Sequence, residues 1–346
     1  MKILCLLLTL FFFWIPVSEE EPYCGEIVRH FFTHALIAHP DIAFASGNEY
    51  GKHLDEDCVT PSEFKAFLEQ AYENDYVLVD IEETFAIEGG KAVKKSFSFP
   101  KGKKPLILSI DDMVYASKNM GKGMVDKLVL SEGKIGTVST LPTPEISFEN
   151  ESVSILESFL EKHPDFSHRG ARGIFFLTGM EGIFGYRTQR DSLNQKTEIE
   201  RVKPIVEKLK ETGWKFGCHS YAHAHMKGCT AEEMRADLQK WKNEVEPLVG
   251  STCLYAYPYG EWVLGTDCAD ERHKVLEEFG YKVFFGVGAK PFFTEMPLKS
   301  QTRVLFMDRS PLDGISLRQR RSVYLPVFDA RTVYDACRPI SYPAEG

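Results

Sequence analysis

Short unbroken apolar runs alternate along this chain with longer stretches in which apolar residues recur every three or four positions. The first pattern marks strands buried on both faces, and the second marks helices that cover them. Thr60-Pro61-Ser62-Glu63 forms a capping box with proline at the first helical position, predicting a helix through about Glu73. A strand follows at Tyr76–Asp80, a second at Pro105–Ile110 and a third at Gly173–Thr178. A helix over Glu198–Glu211 ends at Gly213, and Trp214–Cys218 is a fourth strand. Thr230 with Glu233 caps another helix to about Val245. Strands near Thr252–Tyr257, Tyr281–Val287 and Arg303–Phe306 complete the series, with a helix at Ala269–Phe279. About seven strand–helix repeats in one chain predict an α/β fold with a parallel sheet, and a barrel rather than an open sheet.

Two regions break the rhythm. Residues 113–170 are a long insertion after the second strand, with a hairpin signal at Glu132-Gly133, and they are expected to overhang the barrel mouth. Residues 326–346 read as an irregular tail. At the other end, Met1-Lys2 precedes an apolar run from Ile3 to Val17, then Ser18 and three glutamates. That is the pattern of a secretory leader or of an N-terminal membrane anchor through residues 3–17, so the protein is expected to be secreted or held at the cell surface. The organisation expected is a leader at 1–18, a lead-in at 19–59, a barrel at 60–325 and the tail.

Charge removes one class of partner. With 41 Lys+Arg against 50 Asp+Glu and a net charge of −9, the chain has no footprint for a phosphate backbone, and nucleic acid is excluded. Of eight cysteines Cys5 falls in the leader, and the remaining seven leave at least one unpaired thiol in a monomer. Exported disulfides and small buried apolar residues are equally consistent with that number.

Polar residues then gather where strands end. Asp111-Asp112, His219-Ser220-Tyr221-Ala222-His223 and Tyr257-Pro258-Tyr259-Gly260 each directly follow a predicted strand. In a parallel α/β fold the carboxyl ends of the strands share one face, so the three segments can converge. Two imidazoles four residues apart meet if their segment turns helically, and one carboxylate completes a His₂Asp site with a coordination position open to water. His225 is taken as a bystander. No single motif is specific, and it is their order on successive strand ends that points to metal-assisted chemistry. Tyr186, Tyr221, Tyr257, Tyr259 and Trp262 lie near the motifs and could face sugar rings or fill the core.

Over roughly residues 60–325 these motifs resemble the polysaccharide deacetylase (NodB-homology) family, carbohydrate esterase family 4, in the subgroup reading Ala256-Tyr257-Pro258-Tyr259-Gly260. The resemblance implies a distorted (β/α) barrel and a hydrolase that removes N-acetyl groups from an N-acetylglucosamine-containing glycan. It implies Asp111 as general base, Asp112, His219 and His223 as ligands of a divalent metal, zinc, and the backbone N–H of Tyr259 as oxyanion donor. Two features depart from the family. The arginine that partners the base is replaced by Ala256, leaving Arg187 or Arg309 to substitute. The late histidine that supplies the general acid is missing, leaving His34, and after it His168, as substitutes. Rival readings are a carbohydrate-binding protein on the same scaffold, a non-haem iron oxygenase, which would leave Asp111 without a role, and an amidase acting on a non-sugar amide.

Overall fold

A computed structural model describes residues 19–23, 28–140, 144–264, 269–288, 294–297 and 303–344. The apolar run Ile3–Val17 lies outside them, as do Cys24 and Cys268. Among the described residues no helix is long and apolar enough to cross a membrane. Cys58, Cys218, Cys229, Cys253 and Cys337 are free thiols, and Cys58 and Cys218 are packed in the interior as small apolar groups.

Seven parallel strands close into a ring in chain order. They are β1 (Arg29–Thr33), β2 (Lys104–Asp111), β3 (Ile174–Leu177), β4 (Lys215–Cys218), β5 (Leu254–Ala256), β6 (Val283–Val287) and β7 (Arg303–Pro311). Each pairs with the next, and β7 pairs with β1 through Ser310↔Phe31 and Pro311↔Phe32 to complete the barrel. The period-two alternation of a strand sorts the side chains into two cores. Ile107, Phe176, Ala256, Phe285 and Met307 point inward and form one buried cluster. Leu106, Leu108, Phe175, Tyr255, Phe284 and Phe306 point outward into a second cluster that contains the apolar faces of the surrounding helices. Gly217 on β4 is required by this packing, because a Cβ there would lie 2.3 Å from the Phe176 ring.

The helices that matter to the site are α1 (Pro61–Glu73), α2 (Ser152–Lys162), α3 (Gln195–Thr212), α4 (Ala231–Glu244), α5 (Glu271–Glu278) and α6 (Gly314–Gln319). Both predicted capping boxes form, Thr60 with Glu63 on α1 and Thr230 with Glu233 on α4. Gly213 ends α3 in the left-handed conformation, at φ 107°.

Three sequence expectations need correction. Tyr76–Leu78 is a strand but not a member of the ring, since its ladder runs along the lower half of β2, below the point where β3 joins at Ile174↔Ser109. The ring takes its first strand instead from Arg29–Thr33, inside the segment read as a lead-in. Within the insertion, Lys127–Ser131 and Lys134–Ser139 form the expected hairpin, with Glu132 at φ 52° and Gly133 at φ 77°. Its strands and α2 pack against the outer helices, and only residues 114–124 reach the mouth.

Candidate functional site

The carboxyl ends of the strands open into a cavity of about 610 Å³. Asp111, the last residue of β2, points inward from the buried face of the strand and is 1% exposed. Arg309 of β7 meets it with a fork, Nη1 donating to Oδ1 at 2.7 Å and Nη2 to Oδ2 at 2.8 Å. The guanidinium lies over Phe32, 4.3 Å from the ring centroid, and also donates to Ser109 Oγ at 3.2 Å. Burial alone would raise the Asp111 carboxyl, but Arg309, then His219, outweigh it and hold it below the ordinary carboxylate range. Of the two candidate arginines, Arg309 is therefore the one that partners Asp111. Arg187 instead donates to the carbonyls of Val114, Tyr115 and Glu181, bracing the loop after β2.

Asp112, His219 and His223 converge, with one ligand atom from each lying within 4.8 Å of the others. Helical geometry does not bring the imidazoles together as their spacing suggested, because the segment after β4 is irregular. Ser220 at φ 61° and His223 at φ 51° turn the chain, placing the two rings 5.0 Å apart. Asp112 is also left-handed, at φ 55°. Such conformations are uncommon outside glycine, and their concentration here is local strain held by surrounding structure. Asp237 of α4 supplies part of that hold by accepting from the N–H groups of Tyr221 at 2.7 Å and Ala222 at 2.9 Å.

The donor set fits a cation. His219 Nδ1 lies 2.8 Å from the carbonyl of Ala256, which can only accept, so the proton sits on Nδ1 and the Nε2 lone pair faces the carboxylates. Nε2 is 3.6 Å from Asp111 Oδ2, and His223 Nε2 is 3.2 Å from Asp112 Oδ2. Burial lowers the pKa of His219, and burial together with the neighbouring His34 takes His223 down to about 4, so both rings are neutral and able to ligate. Burial raises Asp112, the response of a carboxylate without a full counter-charge.

His34 lines the same cavity, whereas His168 does not. His34 Nδ1 donates to the carbonyl of Asp57 at 2.8 Å, which leaves Nε2 as its free end. Burial works against its charged form, but Asp112, Asp111 and the Asp57 carbonyl outweigh it and raise the pKa. His168 is buried elsewhere, 3.2 Å from each of Glu20 and Glu83 and edge-on to Phe99.

Tyr259 stands at the rim, 56% exposed and at φ 56°, with its ring stacked on His225 at 3.9 Å. His225 faces Glu261 rather than the triad. Tyr221 and Tyr257 also line the cavity. Tyr186 does not, as its hydroxyl is buried and donates to Leu128 O, and Trp262, partly buried, packs over Gly286.

Residues 166–284 match the family model described as Polysaccharide deacetylase. The matched stretch carries His219, His223 and the Tyr257–Gly260 turn, while Asp111, Asp112, His34 and Arg309 lie outside it. No curated protein matches the sequence. Among solved structures, the chain is similar to the Streptococcus pyogenes deacetylase PplD in complex with acetate, at 13% identity and TM-score 0.47, over 83% of this chain and 93% of that one. It is also similar to IcaB from Ammonifex degensii, at 12% identity and TM-score 0.46, over 88% of this chain and 98% of that one.

Sequence reasoning missed Glu151. This buried glutamate accepts from the N–H of Leu36 at 3.1 Å, the hydroxyl of Tyr115 at 2.9 Å, and both the N–H and the hydroxyl of Ser152 at 2.7 Å. It ties the His34 loop to the Tyr115 loop, and the only signal for it was a carboxylate one residue before a helix. Thr178, at the end of β3, also reaches the Asp112 carboxylate and went unread.

Proposed function

We propose that this protein is a metal-dependent hydrolase that removes N-acetyl groups from an N-acetylated amino-sugar polymer or oligomer, and that its apolar leader places it at the cell surface or outside the cell. The observation that carries the proposal is the meeting of Asp112, His219 and His223 beside an arginine-clamped Asp111 at the carboxyl ends of one barrel's strands. Those three residues would hold a divalent cation such as zinc, which supplies Lewis-acid polarisation of a carbonyl and a lowered pKa for a water.

The chain's own groups divide the remaining work. Asp111 is kept ionised by Arg309, and as general base it takes the proton of the attacking water, a role contributing about 10²–10⁴ in rate. The N–H of Tyr259 is the donor assigned to the charge that develops on the amide oxygen. His34, fixed by the Asp57 carbonyl and with its pKa raised by the neighbouring Asp112 and Asp111, delivers a proton from Nε2 to the departing amine.

The test couples metal analysis to an assay for acetate released from N-acetylated chito-oligosaccharides and peptidoglycan fragments. Asp111→Asn is expected to abolish release while keeping the metal, and Asp112→Ala to lose both. Parallel loss of metal and activity in Asp111→Asn would show base and ligand to be misassigned. A metal-loaded wild-type protein that releases no acetate from any such substrate would overturn the function. Cell fractionation checks the location, and a purely cytoplasmic protein contradicts it.

A further inference from the structure

The cavity extends well beyond what an acetyl group fills. Part of its wall is built by the segment between β1 and α1, which presents Tyr50, His53 and Asp57 to the open space. These three form one surface. His53 Nδ1 is 2.7 Å from Asp57 Oδ2, and the Tyr50 ring lies against the His53 ring at 4.8 Å. His53 and Asp57 keep about half of their side-chain surface exposed, 52% and 42%.

This wall is rigid. Behind it Ile37, Ala43, Leu54 and Cys58 form a small buried core of their own. The Asn48 amide donates to the carbonyls of Ile42, Ala43 and Lys122, and its oxygen accepts from the N–H of Tyr50. Gly51 and Gly123 let the strapped segments approach, since a Cβ on either would lie 2.4–2.5 Å from Ala43. A separate core spent on holding an aromatic ring, an imidazole and a carboxylate against a cavity is the construction of a recognition surface. An amphipathic ring offers a face to the C–H side of a sugar, and a carboxylate beside it accepts from ring hydroxyls.

We propose that Tyr50, His53 and Asp57 form a subsite for a second sugar ring, next to the ring whose acetamide reaches Asp111. This rests on the deacetylase reading and adds which residues of this chain hold the neighbouring ring of its oligomeric substrate. The subsite also touches the chemistry, because the carbonyl of Asp57 is the group that fixes His34. Occupation of the wall therefore bears on the residue assigned to protonate the leaving amine.

The experiment uses the full-length, metal-loaded Asp111→Asn protein, titrated calorimetrically with N-acetylglucosamine oligomers of one to four rings. Affinity is expected to rise from one ring to two or more. Tyr50→Ala in that background should lower affinity for the longer oligomers about tenfold and flatten the length dependence, while Tyr50→Phe, which keeps the ring, should retain it. Asp57→Asn should weaken the same increment, and thermal melts establish that each variant is folded. If Tyr50→Ala and Asp57→Asn both leave the length dependence as in the parent while the wild type still releases acetate, the subsite is wrong and the function stands. If no oligomer binds and none is deacetylated, both fall.

Discussion

Arg309 and Asp111 are 198 positions apart in sequence and share two hydrogen bonds inside the barrel. Removing one partner of a buried fork leaves the other charged and unpaired, which costs about 3–5 kcal/mol. Arg309→Ala is therefore expected to lower the urea midpoint and to reduce kcat by at least about a hundredfold. Arg309→Lys keeps the charge but not the planar fork, and should recover stability better than turnover. Equal kcat in wild type and Arg309→Ala would remove Arg309 from the base's support. Asp111, Asp112, His219 and His223 were legible because each sits at the end of a local apolar run. The partner of Asp111 was not, because choosing between Arg187 and Arg309 requires knowing which strand faces β2 across the ring. Strand periodicity places a side chain inside or outside but gives no angle around the axis.

At the level of elements, the predicted helices and strands form because their caps and apolar periods are local signals. The irregular segments between them were the ones misjudged. Two imidazoles four apart suggested a helical turn, yet left-handed Ser220 and His223 do that work, and no propensity announces a strained loop. Glu151 carries a prediction here, since it caps α2 and ties the loops of His34 and Tyr115 together. Glu151→Ala would strand several buried donors at about 1–3 kcal/mol each, so a large fall in Tm is expected, whereas Glu151→Gln should recover part of it. A melt unchanged in Glu151→Ala would contradict this role. Helix α5 makes a separate prediction through His273, which is fully buried against Phe284, with neither ring nitrogen hydrogen-bonded. Burial lowers its pKa from 6.5 to about 4. Between those two values the unfolded chain binds a proton that the folded chain refuses, so stability rises with pH across this window and is lost on acidification. The contribution is at most about 3 kcal/mol, and it should vanish from the pH dependence of the urea midpoint in His273→Phe.

For the whole molecule, the tail read as irregular turns out to be a buried closure. Arg338 is enclosed and forks onto Glu63, with Nε donating to Oε1 and Nη2 to Oε2, each at 2.7 Å. It also donates to Asp55 Oδ1 at 3.0 Å and to the carbonyl of Cys58. Glu63 is the same residue that completes the capping box of α1. Nothing in the composition of residues 326–346 predicted this, because an arginine in an irregular stretch normally stays in water. Deleting residues 330–346 should leave Glu63 buried without its counter-charge and Asp55 with Arg318 alone, 3.1 Å away. The expected result is a fall of about 3–5 kcal/mol in unfolding free energy by urea titration, and Arg338→Met, which fills the space without supplying charge, should show much of it.

The ring also closes in a definite order as the chain leaves the ribosome. All three members of the candidate cation triad have emerged once His223 is out, yet even after β6 has followed, β1 and β6 still present unpaired edges, and Asp111 has no guanidinium to grip it. Both defects are cured by one late strand, β7, which seals the sheet against β1 and delivers Arg309 in the same stroke. A nascent chain can thus gather the candidate ligands early, yet Asp111 is not clamped until the wall is complete, so vectorial synthesis sets the order in which the candidate site is finished.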